Sequence, residues 1–180
     1  MNLVENEKTI KSEKIYEGKV ISVKIDTVEL PDKKYCKREI VEHPGAVAVI
    51  LVNENNNLVL IKQYRKAIED YLLEIPAGKI ELKESPYDTA LRELKEETGY
   101  TASSLTKLLS FYTSPGFANE IIHVFIAKDV IKGEATPDIG EFVEMLEFPM
   151  ETVLQLIKEG KIKDAKTVTA ILAYLQFYEK

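Results

Sequence analysis

The sequence predicts an α+β fold in which strands dominate and helices come late in the chain. Short runs of β-branched and other apolar residues, separated by turn signals, fill most of the first half of the chain, and such runs are typical of strands. One helix is predicted near the middle and two at the end. Strands and helices do not alternate regularly, which argues against a doubly wound parallel sheet and favours an α+β domain.

Composition narrows the class of protein. The chain has 180 residues with 45% apolar content, enough for one ordinary domain and a small appendage. A net charge of −6 argues against a nucleic-acid partner bound through a broad basic surface. The single cysteine, Cys36, excludes an intramolecular disulfide and a cysteine-rich zinc site. His43 and His123 are the only histidines, and we interpret all three residues as structural.

No apolar stretch has the length of a membrane span, and the first residues lack the apolar core of a signal peptide. The sequence therefore predicts a cytoplasmic protein without a membrane partner.

Residues 1–43 predict a small antiparallel β-sheet. Residues 1–12 are polar, and we expect them to be loosely ordered. A strand starting at Val20 ends near the turn signal Pro31-Asp32, and Tyr35–Val41 returns from that turn. Strands this rich in charge cannot form a core alone, so they are expected to cover the main domain or to cross to another subunit.

Residues 44–180 form the predicted main domain. Pro44-Gly45 interrupts the chain, and the continuous apolar run Ala46–Val52 is short enough for a buried strand. The turn Asn53–Asn57 then predicts Leu58–Ile61 as the hairpin partner of that strand. Further strands are predicted at Leu105–Tyr112, Ile121–Ala127 and Phe142–Phe148, and closing helices at Glu151–Glu159 and Asp164–Tyr178. The last helix is expected to bury Val168, Ile171, Leu172 and Leu175.

A helix rich in carboxylates is predicted between Ser85, a suitable N-cap, and Gly99, a suitable helix end, with Pro86 in its first turn. At roughly 100° per residue, two neighbouring faces separate. The apolar face carries Tyr87, Ala90, Leu91 and Leu94, and the acidic face carries Glu93, Glu96 and Glu97. Like charges at these spacings destabilise a helix, whereas a divalent cation would turn the repulsion into ligation. The alternative is a solvated acidic face.

The spacing around this helix is a glycine, five residues, a glutamate, seven residues and then Arg-Glu-Leu-x-Glu-Glu-x-Gly. Its fixed positions are Gly78, Glu84, Arg92, Glu93, Leu94, Glu96, Glu97 and Gly99. The pattern resembles the Nudix box, the signature of the Nudix hydrolases. Tyr100 stands where that pattern prefers an aliphatic residue, at a position that packs. The resemblance implies the Nudix α/β/α sandwich around a mixed β-sheet.

The resemblance also implies a metal site. Glu93 and Glu97 correspond to metal ligands, Glu96 to a bridging or water-mediated ligand, and Ala77 to a residue whose backbone carbonyl ligates. The expected ion is Mg²⁺, with Mn²⁺ as a substitute. Such ions neutralise a pyrophosphate and lower the pKa of an attacking water. Arg92 is expected to hold the carboxylates in place rather than to contact the substrate.

Four further stretches, REIVEHPGAVAVI, KQYRKAI, LLEIPAGKIE and TSPGFANE, resemble the ADP-ribose pyrophosphatase branch of that family. Pro115 lies sixteen residues beyond Gly99, as the branch requires. The implied reaction is metal-dependent hydrolysis of ADP-ribose to AMP and ribose 5-phosphate. The alternatives are another nucleoside diphosphate sugar such as GDP-mannose, or NADH. A non-catalytic ADP-ribose sensor is a further alternative, against which the intact box carboxylates argue.

Substrate residues follow from the same resemblance. Arg38 and Arg65 correspond to residues that contact the diphosphate, for which the planar guanidinium is suited. For either residue the alternative is a surface ion pair. Ser114 and Gly116 belong to the substrate loop. Glu120, at the end of the motif SPGxxxE, corresponds to a position near the reacting phosphate.

The catalytic base is implied to come from an acidic loop. Glu141 aligns best and is expected to act as base or as a further metal ligand. Glu120 is the main alternative, followed by Glu144 and Asp138. Some relatives carry a second glutamate where this chain has Ile139, so the assignment between Glu141 and Glu120 stays open.

A homodimer is the partner that the resemblance implies. Relatives exchange their N-terminal strands between two subunits, so that each site borrows residues from both. An aromatic side chain such as Tyr16 would suit an adenine ring, although the sequence does not decide which one.

Overall fold

The computed structural model describes residues 6–136 and 142–178, and the chain forms two compact units. The first unit comprises the chain up to Gly45 together with Tyr112–Ile121, and the second comprises Ala46–Phe111 and the chain from Ile122 onwards. None of the helices in the described ranges has the length and hydropathy that crossing a membrane requires.

The first unit contains a three-stranded antiparallel sheet. Its strands are β1 (Lys8–Glu17), β2 (Ser22–Glu29) and β3 (Tyr35–Glu42), in the order β1-β2-β3. The tight turn between β2 and β3 includes Lys33, whose φ is 66°. The predicted N-terminal antiparallel sheet is therefore confirmed.

The prediction that residues 1–12 are loosely ordered is wrong for Lys8 to Ser12, which lie in β1. Lys8 pairs with Glu29 and Ser12 with Asp26 of β2. Every residue of β1 is exposed, and most of its residues are polar, as is common in edge strands. Backbone pairing, which composition does not reveal, orders this segment.

Within its described residues, the second unit contains two sheets and three helices. Its elements are β4 (Ala46–Ile50), β5 (Asn57–Arg65), β6 (Asp70–Glu74), β7 (Ala77–Lys79), α1 (Pro86–Thr98), β8 (Tyr100–Tyr112), β9 (Ile121–Lys132), β10 (Val143–Pro149), α2 (Met150–Lys158) and α3 (Ala165–Phe177). One sheet has the order β7-β4-β9-β8 and the other β10-β5-β6. Because β4 pairs parallel with β9 and antiparallel with β7, the first of these sheets is mixed.

The predicted hairpin between β4 and β5 is only partly present. The two segments touch through the bridge between Val52 and Leu58 and through the bond from Val59 N to Leu51 O at 2.9 Å. Beyond this point β5 joins β6 and β10 instead. Both edges of β4 are already occupied, by β7 and by β9, so β5 cannot extend the pairing.

Helices cover both faces of the mixed sheet. Alternate residues of β4 point to opposite sides, and all of them from Val47 to Ile50 are fully buried. One cluster, with α1, includes Val47, Val49, Ala90 and Leu94, and the other, with α2 and α3, includes Ala48, Ile50, Val153 and Ile171. This arrangement confirms the α/β/α layers.

The buried face of α3 differs from the prediction at one position. Ile171 is fully buried, and Val168 and Leu175 pack against the core. Leu172 is 47% exposed, whereas Tyr174 is buried. Burial at residues 167, 170, 171 and 174 follows the i, i+3, i+4, i+7 spacing of one helix face, and Leu172 lies off that face.

Candidate active site

The acidic helix α1 has the predicted bounds. Ser85 is its N-cap, and the Ser85 hydroxyl oxygen accepts a hydrogen bond from the backbone N–H of Asp88 at 3.2 Å. Pro86 is its first residue. At the other end, Gly99 adopts a φ of 74° and donates to the carbonyl of Lys95 at 2.8 Å. Both ends of the helix are therefore fixed by local chemistry that the sequence specifies.

Gly99 also admits a second backbone segment against the end of α1. Gly133 N donates to Gly99 O and Thr136 N to Glu96 O, both at 3.0 Å. A Cβ at Gly99 would lie 2.6 Å from the backbone nitrogen of Ala135. Close approach of residues 133–136 to α1 therefore requires glycine here as well as the left-handed conformation.

Arg92 ties three carboxylates of the box together. Its Nη1 donates to Glu93 Oε1 at 2.8 Å and to Glu96 Oε2 at 2.9 Å. Its Nε and Nη2 donate to the two carboxylate oxygens of Glu84, both at 3.0 Å. These bonds lower the pKa of Glu84 to about 2, against the opposing effect of burial, and they raise the pKa of Arg92. Glu84 thereby stays ionised and fixes the guanidinium.

Strand β7 lies directly against the carboxylates of α1. Glu97 is 3% exposed, and its Oε2 accepts a hydrogen bond from Ala77 N at 2.8 Å. A Cβ at Gly78 would lie 1.9 Å from Cδ of Glu93, so the Glu93 carboxylate occupies space that only glycine leaves open. The structure thus brings the predicted ligands Ala77, Glu93 and Glu97 together, with Glu96 joined to Glu93 through Arg92.

Among the described residues, no three acidic, histidine or cysteine side chains point at one common centre as a metal-binding group. The carboxylates of Glu93 and Glu96 turn towards Arg92, and that of Glu97 turns towards a backbone N–H. The donor set is nevertheless all oxygen, and the glycine-lined space beside Glu93 can hold its carboxylate. These donors fit a hard divalent cation.

Arg65, at the end of β5, forms the ion pair that the sequence left open as an alternative. Its Nε and Nη2 donate to the two oxygens of Glu74 at 2.7 and 2.6 Å. These hydrogen bonds raise the pKa of Arg65 despite its partial burial, and the charge of Glu97 adds to the effect. Arg65 is thus within electrostatic reach of Glu97 in α1, and its side chain is 40% exposed.

In the first unit, Arg38 also has a carboxylate partner. Its Nε and Nη2 donate to Glu7 at 2.9 and 2.6 Å. Arg38, Glu7, Gly116 and Phe117 line an open pocket of about 440 Å³. Arg38 and Gly116, two of the predicted substrate residues, therefore share one pocket.

Glu120 lies in a neighbouring pocket of about 290 Å³ together with Ser114 and His43. The Thr113 hydroxyl donates to Glu120 Oε2 at 2.7 Å. His43 Nδ1 lies 3.6 Å from Glu120 Oε1 and accepts from Gly45 N at 3.1 Å. The sequence predicts a structural role for His43, and no motif in it indicates that His43 would lie beside Glu120.

The acidic loop is the least described part of the predicted site. Glu141, Asp138 and Ile139 lie outside the described residues. Glu144 lies in β10, 63% exposed, with Lys62 Nζ 3.6 Å from its Oε2. Glu74, which holds Arg65, is a buried residue of this region that the sequence does not predict. It lies in the stretch LLEIPAGKIE, but nothing in that pattern distinguishes a buried glutamate from an exposed one.

Comparison with known proteins places these features in a family. The model of the NUDIX domain matches residues 42–171. The chain is 53% identical over 175 residues to the ADP-ribose pyrophosphatase of Bacillus subtilis (strain 168), covering 96% of this chain and 94% of that one. It has the same identity and coverage with a protein of Bacillus methanolicus named methanol dehydrogenase activator.

A solved structure titled an ADP compounds hydrolase shares the fold. Its TM-score is 0.87 at 22% identity, covering 99% of this chain and 97% of that chain. Nudix hydrolases generally use divalent metal cations. On the family match and the 53% identity over nearly the whole length, the chain belongs to the Nudix hydrolase family.

Proposed function

We propose that this chain hydrolyses the pyrophosphate bond of ADP-ribose to AMP and ribose 5-phosphate. The observation that carries the proposal is the packing of β7 against α1, in which Ala77 N donates to the Glu97 carboxylate and Gly78 lies against the Glu93 carboxylate. The 53% identity to an ADP-ribose pyrophosphatase supports the choice of substrate.

The proposed cofactor is Mg²⁺, with Mn²⁺ able to replace it. Glu93, Glu96, Glu97 and the carbonyl of Ala77 would hold the ion. When bound, it would neutralise diphosphate charge and lower the pKa of a water. Arg92 contributes by holding Glu93 and Glu96 through one nitrogen, Nη1, so that both carboxylates stay on the same side of the helix.

The remaining roles belong to residues that bind the substrate or move a proton. Arg65 and Arg38 bind diphosphate oxygens, and Ser114 and Gly116 shape the substrate loop. The water oxygen forms a bond to phosphorus as the bridging P–O bond breaks, and a carboxylate accepts the proton of the water. Glu141 and Glu120 are the candidates for that carboxylate. Thr113 supports Glu120, because its hydroxyl fixes the orientation of the carboxylate at Oε2.

The proposed assembly is a cytoplasmic homodimer that exchanges its N-terminal strands. Strand β1 is exposed along its whole length in the single chain. Its apolar residues Ile10, Ile15 and Tyr16 are each more than half exposed, which is unfavourable in water and typical of a surface that meets a partner. Burial of this strand against a second subunit would remove those side chains from solvent.

A second candidate function is activation of a methanol dehydrogenase. The relative that bears that name is as similar to this chain as the pyrophosphatase is. The two candidate functions can be distinguished by adding the purified protein to a methanol dehydrogenase and measuring the activity of that enzyme. Stimulation without hydrolysis of any diphosphate would favour the activator, and hydrolysis without stimulation favours the pyrophosphatase.

The decisive test is turnover of ADP-ribose, GDP-mannose, NADH and diadenosine polyphosphates, with Mg²⁺ and with EDTA, and with products separated by chromatography. We expect ADP-ribose to be the best substrate, to yield AMP, and to be left intact in EDTA. If another diphosphate were the best substrate, the assignment of ADP-ribose would be wrong, but metal-dependent hydrolysis of a pyrophosphate bond would still be supported. Binding of ADP-ribose without turnover would instead support a sensor.

A further inference from the structure

The segment Glu74–Ala77 is held at four consecutive residues, and the first turn of α3 supplies two of the contacts. The Glu74 carboxylate contacts Lys166, and the backbone N–H of Ile75 donates to Thr167 Oγ1 at 2.9 Å. Pro76 O then accepts from Val49 N at 2.8 Å. The fourth contact is the bond from Ala77 N to Glu97. One short segment thus connects α3 to the predicted metal ligands.

Glu74, with its side chain 1% exposed, stands at the centre of a partly buried group of charges. It accepts two hydrogen bonds from Arg65 and one from Lys166. Lys166, itself 11% exposed, also pairs with Asp164 at 3.1 Å. Burial alone would raise the pKa of Glu74, but the bonds and charges of Arg65 and Lys166 hold it below its ordinary value.

The four charges of this group cancel, because Arg65 and Lys166 oppose Glu74 and Asp164. Removal of the Lys166 charge would leave Arg65, Glu74 and Asp164 with a combined net charge of −1. Without Lys166, the Glu74 carboxylate would also neutralise more of the positive charge of the Arg65 guanidinium. A buried charge is costly without a partner, so Lys166 stabilises the Glu74 carboxylate. Because Lys166 neutralises part of that negative charge, Glu74 cancels less of the positive charge of Arg65.

Glu74 occupies only one edge of the Arg65 guanidinium. Glu74 takes Nε and Nη2, so the two N–H groups of Nη1 do not serve that pair. A guanidinium fixed along one edge is pre-organised to donate along another.

We propose that Glu74 and Lys166 are positioning residues for diphosphate binding, which fix Arg65 while keeping its positive charge available to phosphate oxygens. The inference rests on the proposed function, because it takes Arg65 as a diphosphate ligand. It extends the site to α3, whose first turn would set both Arg65 and the strand that carries Ala77.

The first experiment measures binding and turnover of ADP-ribose by Lys166→Met. Calorimetry in EDTA gives the Kd without turnover, and steady-state kinetics with Mg²⁺ give KM and kcat. We expect Kd and KM to rise about tenfold while kcat changes by less than about threefold. Lys166→Arg should restore most of the affinity. Lys163→Met is the matched control, since it removes an exposed charge three residues away and should leave both constants unchanged.

The second experiment is a double-mutant cycle of Arg65→Ala and Glu74→Gln, with circular dichroism as the check on folding. If Glu74 acts through Arg65, the double variant should bind ADP-ribose no more weakly than Arg65→Ala alone. Additive losses would overturn the inference, as would an unchanged Kd in Lys166→Met. Failure of the proposed function looks different: the wild type would then bind ADP-ribose in EDTA, with the predicted Kd pattern, and yet not hydrolyse it. A wild type that neither binds ADP-ribose in EDTA nor hydrolyses it with Mg²⁺ would overturn both.

Discussion

Glu97 of α1 accepts a hydrogen bond from the backbone N–H of Ala77 in β7, at 2.8 Å, although the two residues are twenty positions apart. The bond fixes a nearly buried carboxylate against the strand whose next residue, Gly78, makes room for Glu93. Strand β7 and helix α1 are thereby held in a fixed position relative to each other. If Ala77, Glu93 and Glu97 hold the proposed ion, they would lose little conformational freedom on binding it.

Gly78→Ala should impair the metal site and leave the fold nearly intact. The new Cβ would overlap the carboxyl end of Glu93, and that flexible end can move aside. We expect a weaker apparent affinity for Mg²⁺ and a loss of turnover of about ten- to a hundredfold, with little change in thermal stability. Titration of activity with Mg²⁺ measures the first effect. Normal activity at low Mg²⁺ would show that Glu93 does not need this space.

Gly99→Ala should destabilise the fold far more than Gly160→Ala. Both glycines have positive φ, 74° and 67°, so each alanine would bear a conformational cost of about 1 kcal/mol. Only at Gly99 would the Cβ also collide with backbone, at Ala135, which adds about 1–3 kcal/mol. Urea unfolding measures the free energies. Equal losses in the two variants would contradict the close approach of residues 133–136 to α1.

Glu84→Gln should change the pH dependence of stability. Arg92 lowers the pKa of Glu84 from about 4.5 to about 2 in the folded protein. The ion pair therefore stabilises the fold above pH 4.5, and this contribution is lost as the pH falls from about 4.5 towards 2. We expect the variant to be less stable by about 2 kcal/mol at pH 7, with the difference shrinking below pH 4.5. Parallel curves from pH 7 to pH 3 would contradict the assignment.

Glu7→Gln should strengthen substrate binding if Arg38 is a diphosphate ligand. Glu7 now holds both Nε and Nη2 of Arg38, and the two side chains are about 40% exposed. Loss of this competing charge should lower KM about two- to threefold, the scale of a surface ion pair. Arg38→Ala should raise KM. An unchanged KM in both variants would show that Arg38 does not bind the substrate and serves only in the ion pair with Glu7.

The sequence predicted those parts of the site that depend on local spacing. Ser85, Pro86 and Gly99 determined the bounds of α1, because capping and left-handed glycine are local effects. Periodicity placed Ala90 and Leu94 in the core, where both are fully buried. Helix bounds and helix faces depend on nearby residues, so one sequence suffices for them.

Features that depend on distant partners escaped prediction. Residues 8–12 of β1 are polar and are ordered by pairing with β2, and β5 leaves β4 because β7 and β9 occupy both edges of β4. Glu74 is separated from Lys166 by 92 positions. No local pattern encodes which charged residue will be buried with which partner, and only the three-dimensional structure reveals it.

The central claim is that the carboxylates of α1 hold the metal on which hydrolysis depends, and Glu97→Gln tests it most directly. Glutamine keeps an oxygen that can accept the hydrogen bond from Ala77 N, so the fold should persist. Glu151→Gln, an exposed change of equal charge in α2, is the control. We predict that ADP-ribose hydrolysis with Mg²⁺ falls at least about a thousandfold in Glu97→Gln and stays normal in Glu151→Gln. A folded Glu97→Gln variant with full activity would contradict the account.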